Sequence, residues 1–167
     1  KDPVTRSTIV ETGSPERGDI AVFKFPKDTR IDYIKRIVGL PGDRVIYRGK
    51  QLFIQAKCEA KPCPELKPVP LDFEISGRFK QGLIPLENYR EQLAEVEHEI
   101  LINPSRPDRV QYFYQQPGTA QDEWIVPNGH YFVLGDNRDN SEDGRYWGFV
   151  SDDHLVGKAV AIWISFE

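Results

Sequence analysis

The amino-acid sequence predicts a mostly antiparallel β fold. Short apolar runs and period-two alternations outnumber helical spacings along the chain, and most of those runs are closed by Gly, Pro or Asp turn residues. In order, Asp19–Phe25 is an alternating strand stopped by Pro26, and Asp32–Val38 is a second one stopped by Gly39-Leu40-Pro41-Gly42-Asp43. Arg44–Tyr47 and Gln51–Ile54 flank the turn Arg48-Gly49-Lys50 and read as a hairpin. Residues 56–85 carry Pro62, Pro64, Pro68, Pro70 and Pro85, which suits irregular loop or edge strand rather than sheet interior. From Leu86 to Leu101 the run Glu91-Gln92-Leu93-Ala94-Glu95 favours helix, after which Val96–Ile102 alternates as a strand. Val110–Tyr114, Trp124–Val126, His130–Leu134 and Lys158–Ile164 complete the expected strands.

Composition sets the bounds. The 167 residues carry 22 Lys+Arg against 26 Asp+Glu, with 19 aromatic residues to fill a core, so the chain reads as one or two globular domains. Charge is uneven: residues 1–50 hold 11 basic and 7 acidic groups, residues 51–167 hold 11 and 19. That balance is too acidic for a nucleic-acid binder, and no stretch approaches the roughly 20 apolar residues of a membrane helix. There is no methionine, so Lys1-Asp2-Pro3 is expected to be a cut or engineered start. Cys58 and Cys63, with four residues between them, would pair in an oxidising compartment and otherwise remain free thiols. Zinc would need two further ligands, and His98, His130 and His154 are scattered, so neither a metal nor a cofactor is expected.

Two features carry chemistry. On a strand, Tyr33, Lys35 and Ile37 share one face while Ile34, Arg36 and Val38 share the other, which sets the Lys35 amine among apolar neighbours. Desolvation disfavours the ammonium form, and a neutral lysine can act as a general base. The bland reading is an amine that snorkels to water. The second feature is Gly135-Asp136-Asn137-Arg138-Asp139-Asn140-Ser141-Glu142-Asp143-Gly144-Arg145-Tyr146-Trp147-Gly148, directly after an apolar strand. Its short polar and paired charged residues make a loop able to satisfy its own backbone and charges, and its acidic spacing does not fit an EF-hand.

Those two strings, Tyr33 to Asp43 preceded by Arg17-Gly18-Asp19, and Gly135 to Ser141 followed by Arg145-Tyr146-Trp147-Gly148, closely resemble type I signal (leader) peptidase of Gram-negative bacteria. The resemblance implies a signal-peptidase-like catalytic β core from residues 1–43 and 128–167, with an inserted β-ribbon domain from 44–127. It implies a serine endopeptidase of the inner membrane, catalytic domain on the periplasmic side, that removes signal peptides with Ala-x-Ala-like ends by a Ser/Lys dyad. Lys35 matches the general base and Ser141 the hydroxyl that orients it. Tyr33 and Ile34 fall where the family lines its substrate cleft, and Arg36, Asp136, Asp143 and Arg145 match charged supports of the second loop. Cys58 and Cys63 match a small disulfide loop of the enterobacterial-type enzymes.

One departure matters. The family's nucleophile sits in a Ser-x-Ser-Met-x-Pro-type segment, which this sequence lacks; Ser14-Pro15 is a turn and Ser7 has no such surroundings. The nucleophile is therefore expected to be missing and the chain to be inactive alone. Implied partners are signal peptides and, through the parent protein, the lipid bilayer. An exposed sheet edge could also pair copies of the chain into an oligomer. A LexA-type self-cleaving protease shares the Ser/Lys chemistry, and a non-catalytic β-rich periplasmic scaffold fits the missing serine; both are the rival readings.

Overall fold

The computed structural model describes residues 5–10, 14–81 and 84–164. Lys1-Asp2-Pro3 lies outside them, as does the side chain of Ser7. Thirteen strands are described: β1 (Thr5–Val10), β2 (Ile20–Phe25), β3 (Asp28–Gly39), β4 (Arg44–Arg48), β5 (Gln51–Gln55), β6 (Lys67–Pro68), β7 (Leu71–Gln81), β8 (Ile84–Leu93), β9 (Val96–Ile102), β10 (Glu123–Ile125), β11 (His130–Leu134), β12 (Val150–Ser151) and β13 (Leu155–Ile164). A single α-helical turn, α1 (Gly144–Trp147), follows the second motif. The fold is mostly antiparallel β.

A six-stranded sheet runs in the order β1-β13-β2-β3-β11-β12, and smaller sheets run β10-β4-β5-β6 and β7-β8-β9. The large sheet is buried where β3 ends, because Ile37 packs with Phe23, Tyr131 and Val133 on one side while Val38 packs with Val45, Trp124 and Phe132 on the other. That double burial explains the continuous apolar run of β11, whose residues from Tyr131 to Leu134 are all buried. The tight turn before β4 requires Gly42, with φ of +89°.

Two expectations need correcting. Val110–Tyr114 is not a strand: Val110–Tyr112 forms a 3-10 turn, with Phe113 N–H donating to Val110 O at 3.0 Å. Val110 and Phe113 both pack into the core at helical i, i+3 spacing, so the apolar run was never two-sided. Glu91 to Leu93 is not helical either, since β8 is paired along its length by β7 and β9. Tertiary pairing outweighs the helix preference of those side chains. Of the two forms expected for residues 56–85, irregular loop or edge strand, residues 71–81 take the second: an 11-residue strand at the edge of its sheet. Cys58 and Cys63 are joined by a disulfide.

Candidate active site

The site is built from β3 and the loop that leaves β11. Pairing of β11 with β3 begins at Leu134 opposite Arg36, so the chain emerging at Gly135 passes directly over Lys35. The Lys35 Nζ lies 2.9 Å from Ser141 Oγ, across 106 residues of sequence. Ser141 in turn donates its hydroxyl to Asp143 Oδ2 at 2.9 Å. That bond uses the one proton of the hydroxyl, leaving the oxygen to accept from the amine. A neutral amine has two N–H bonds and one lone pair; Ser141 engages an N–H and leaves the lone pair for another group.

Burial pushes the Lys35 pKa down, and it is the largest influence. Asp143, Glu142 and Asp136 pull it up, while Arg145 pushes it further down. Among the described residues no His, Cys, Asp or Glu cluster is arranged to hold a metal.

Each charged support is placed by contact. Asp143 is fully buried and accepts from Arg145 Nε at 2.8 Å, Arg145 Nη2 at 2.9 Å and Gly135 N–H at 2.9 Å. The Arg145 guanidinium sits 4.8 Å over the Tyr47 ring, and Asp143 raises its pKa against the effect of burial. Arg36 grips Asp136 bidentately at 3.0 and 2.8 Å and donates to Gly18 O at 2.8 Å. Burial alone would raise the Asp136 carboxyl, yet His98 and Arg36 hold it well below its ordinary range.

Tyr33 and Ile34 diverge as the strand alternation requires. Tyr33 stacks on Phe25 at 4.5 Å and meets Trp147 edge-on, on the Lys35 side, whereas Ile34 is 53% exposed. Among the described residues nothing pairs with the outer edge of β3 from Arg30 to Lys35, because β11 stops at Arg36.

Four residues escaped the sequence reading. Gly135 is required by close approach: a Cβ there would fall 2.1 Å from Ser141 Oγ and 3.3 Å from Lys35 Nζ. Its signal was present, as the first residue of the motif after an apolar strand. Glu91, His98 and Arg138 form a buried cluster, with Arg138 Nη1 and Nη2 on Glu91 at 3.0 and 2.7 Å and His98 Nε2 2.9 Å from Glu91 Oε1. His98 Nδ1 is 3.4 Å from Asp136 Oδ1, outside hydrogen-bond geometry. Burial would raise the Glu91 carboxyl, but Arg138 and His98 hold it at about 2. Burial would lower His98, and the carboxylates of Asp136 and Glu91 raise it instead.

A half-buried amine bonded to a hydroxyl, on a β scaffold beside an open strand edge, is an arrangement able to exchange a proton with a group placed next to it. Residues 3–164 match the model of the family "Signal peptidase, peptidase S26", and the chain belongs to that family. It is 40% identical over 186 residues to a signal peptidase I of Buchnera aphidicola from Schizaphis graminum, covering 100% of this chain and 59% of that protein. It is 41% identical over 175 residues to one of Pseudomonas fluorescens, covering 98% and 54%, and 37% identical over 195 residues to one of Haemophilus influenzae, covering 100% and 56%. These relatives fit the expected Gram-negative type. The chain thus spans somewhat over half the length of the curated relatives it matches. A solved signal peptidase I from Enterococcus faecalis V583 aligns with a TM-score of 0.46 and 26% identity, over 87% of this chain and 96% of that one.

Proposed function

We propose that this chain carries the base-bearing half of a membrane-associated serine endopeptidase that removes signal peptides from exported preproteins, acting on the periplasmic side of the inner membrane. The observation that carries the proposal is the 2.9 Å contact between a partly desolvated Lys35 amine and Ser141 Oγ. In this reading Lys35 takes the proton of a nucleophilic serine as that oxygen adds to the scissile carbonyl. It then returns the proton to the leaving amine. Water, deprotonated by the same amine, hydrolyses the acyl-enzyme. Ser141 fixes the direction of the amine and does not attack.

The nucleophilic serine is not among these 167 residues, so the chain alone does not cleave. Residues 1–43 and 128–167 form the catalytic core in this proposal, and 44–127 the inserted domain. The signal peptide docks as an added strand along the open edge of β3, with Ile34 as a wall of a small-residue pocket. Main-chain pairing reads no sequence, so small pockets select the Ala-x-Ala-like residues.

The test joins this chain to a segment carrying the family's serine motif and assays a preprotein with an Ala-x-Ala end. Cleavage lost on Lys35→Ala is the expected result. Cleavage by the 167-residue chain alone, or cleavage that survives Lys35→Ala, would overturn it. No cleavage in any format favours the non-catalytic scaffold.

A further inference from the structure

Glu91 stands out because it belongs to the three-stranded sheet, which supplies no atom of the Lys35–Ser141 pair, yet it is fully buried against the motif loop. We propose that Glu91 is a positioning residue: through Arg138 it locks the loop that holds the Ser141 hydroxyl on Lys35. Its catalytic consequence rests on the reading of Lys35 as the base.

The geometry supports this residue by residue. The Arg138 fork spends both terminal nitrogens on Glu91, its Nε donates to Gly135 O at 3.0 Å, and its own carbonyl accepts from Arg145 Nη2 at 2.6 Å. Arg138 therefore ties the first residue of the loop to Arg145, and Ser141 lies between those ties. His98, on the next strand, fixes the rotation of the Glu91 carboxylate. Strand β9 adds Leu101 N–H to Asp136 O at 3.0 Å, and Asn103, just past its end, adds its N–H to Asp139 Oδ2 at 2.8 Å. A buried ion pair contributes little stability over an apolar pair of similar volume, whereas its fork geometry specifies direction. Direction is what a hydroxyl aimed at one amine requires.

The experiment uses the 167-residue chain with Glu91→Gln, Glu91→Asp and the double change Glu91→Leu with Arg138→Leu. Three quantities are read: the thermal midpoint, amide exchange at Gly135, Asn140 and Ile37, and the titration of Lys35 followed by its 13Cε shift. In Glu91→Gln the Gly135 and Asn140 amides should exchange about 10-fold faster or more while Ile37, bonded to Asp19 O, stays within about 2-fold. The Lys35 midpoint should move up toward the ordinary 10.5 as water reaches the amine. Neither Glu91 nor Arg138 is among the leading influences on Lys35, so such a shift reports loop displacement rather than the deleted charge.

Glu91→Asp, which keeps the carboxylate, should recover part of both changes. The double apolar change should restore the thermal midpoint but leave the loop amides fast. Should Glu91→Gln fail to fold, that double change decides the matter by the same readings. Loop exchange and Lys35 titration unaffected by Glu91→Gln, or both restored along with stability in the double change, would overturn the proposal. Cleavage that survives Lys35→Ala, measured separately, would end the reading of Lys35 as base and leave the anchoring itself measurable by exchange.

Discussion

Ser141→Ala and Asp143→Asn alter the two ends of the same hydrogen bond, yet they should differ widely in their effect on stability. Removing the Ser141 hydroxyl deletes one acceptor for Lys35 and one donor to Asp143, which keeps Arg145 Nε, Arg145 Nη2 and the Gly135 N–H. Its expected destabilisation is that of one net hydrogen bond, about 0.5–1.5 kcal/mol. Asp143→Asn preserves shape, so no cavity forms, but it strands the Arg145 guanidinium, which is 1% exposed. Breaking one side of a buried ion pair costs about 3–5 kcal/mol. The difference of roughly 2 kcal/mol or more lies within the ~5–15 kcal/mol of a typical domain. Urea unfolding of the three proteins, followed by tryptophan fluorescence and compared at a common slope, measures it. An Asp143→Asn midpoint matching that of Ser141→Ala would show that Arg145 finds other compensation and that the pair does not carry the loop.

Acid should unfold the protein through Glu91 and Asp136. Both carboxyls are depressed, so their stabilisation is complete above their unfolded values of 4.5 and 3.8 and is lost as pH falls through the folded values, about 2 for Glu91. Glu91 alone contributes on the order of 3 kcal/mol over that window, read by urea midpoints from pH 5 to about 2. His98 acts oppositely: its raised pKa stabilises fully below 6.5 and the contribution fades as pH rises through the folded value, so His98→Gln should flatten the alkaline side of the profile. Gly135→Ala should expel Ser141 from Lys35, because the new methyl would sit 2.1 Å from its Oγ; an unchanged Lys35 titration would contradict the packing. Ile34→Ala, at a 53% exposed position, should alter stability by less than about 0.5 kcal/mol while weakening binding of an Ala-x-Ala peptide, and equal peptide affinity would remove Ile34 from the cleft.

What the sequence made legible followed the range of each interaction. Strand β11 and the pair β4–β5 lie where their apolar runs and turns place them, since alternation and turn chemistry act over a few residues. The Lys35 and Ser141 positions came from the resemblance of two motifs; their separation of 106 residues is beyond any local pattern. Glu91 was hidden for the same reason. Its partner Arg138 lies 47 residues away, and the helix-forming run around it pointed toward the wrong local structure. Phe113 misled in the opposite way, as a β-favouring aromatic that is buried between Tyr47, Trp124 and Tyr146 at the end of a 3-10 turn.

The charges around Lys35 are arranged so that burial decides its protonation. Asp143 sits on Arg145 and Asp136 on Arg36, so two of the three carboxylates that favour the ammonium form are paired with a guanidinium, Glu142 being the third. At Lys35 the upward pull of Asp143 is set against the downward push of Arg145, and desolvation, the largest influence, is left to lower the pKa. This explains how a loop dense in acidic residues can surround a lysine without fixing its proton. Deleting one charge of a pair should therefore move Lys35 in a known direction: Asp143→Asn lowers its midpoint further, whereas Arg145→Met raises it. A 13C titration in which both changes moved the midpoint the same way would mean that loop displacement, not charge pairing, governs the amine.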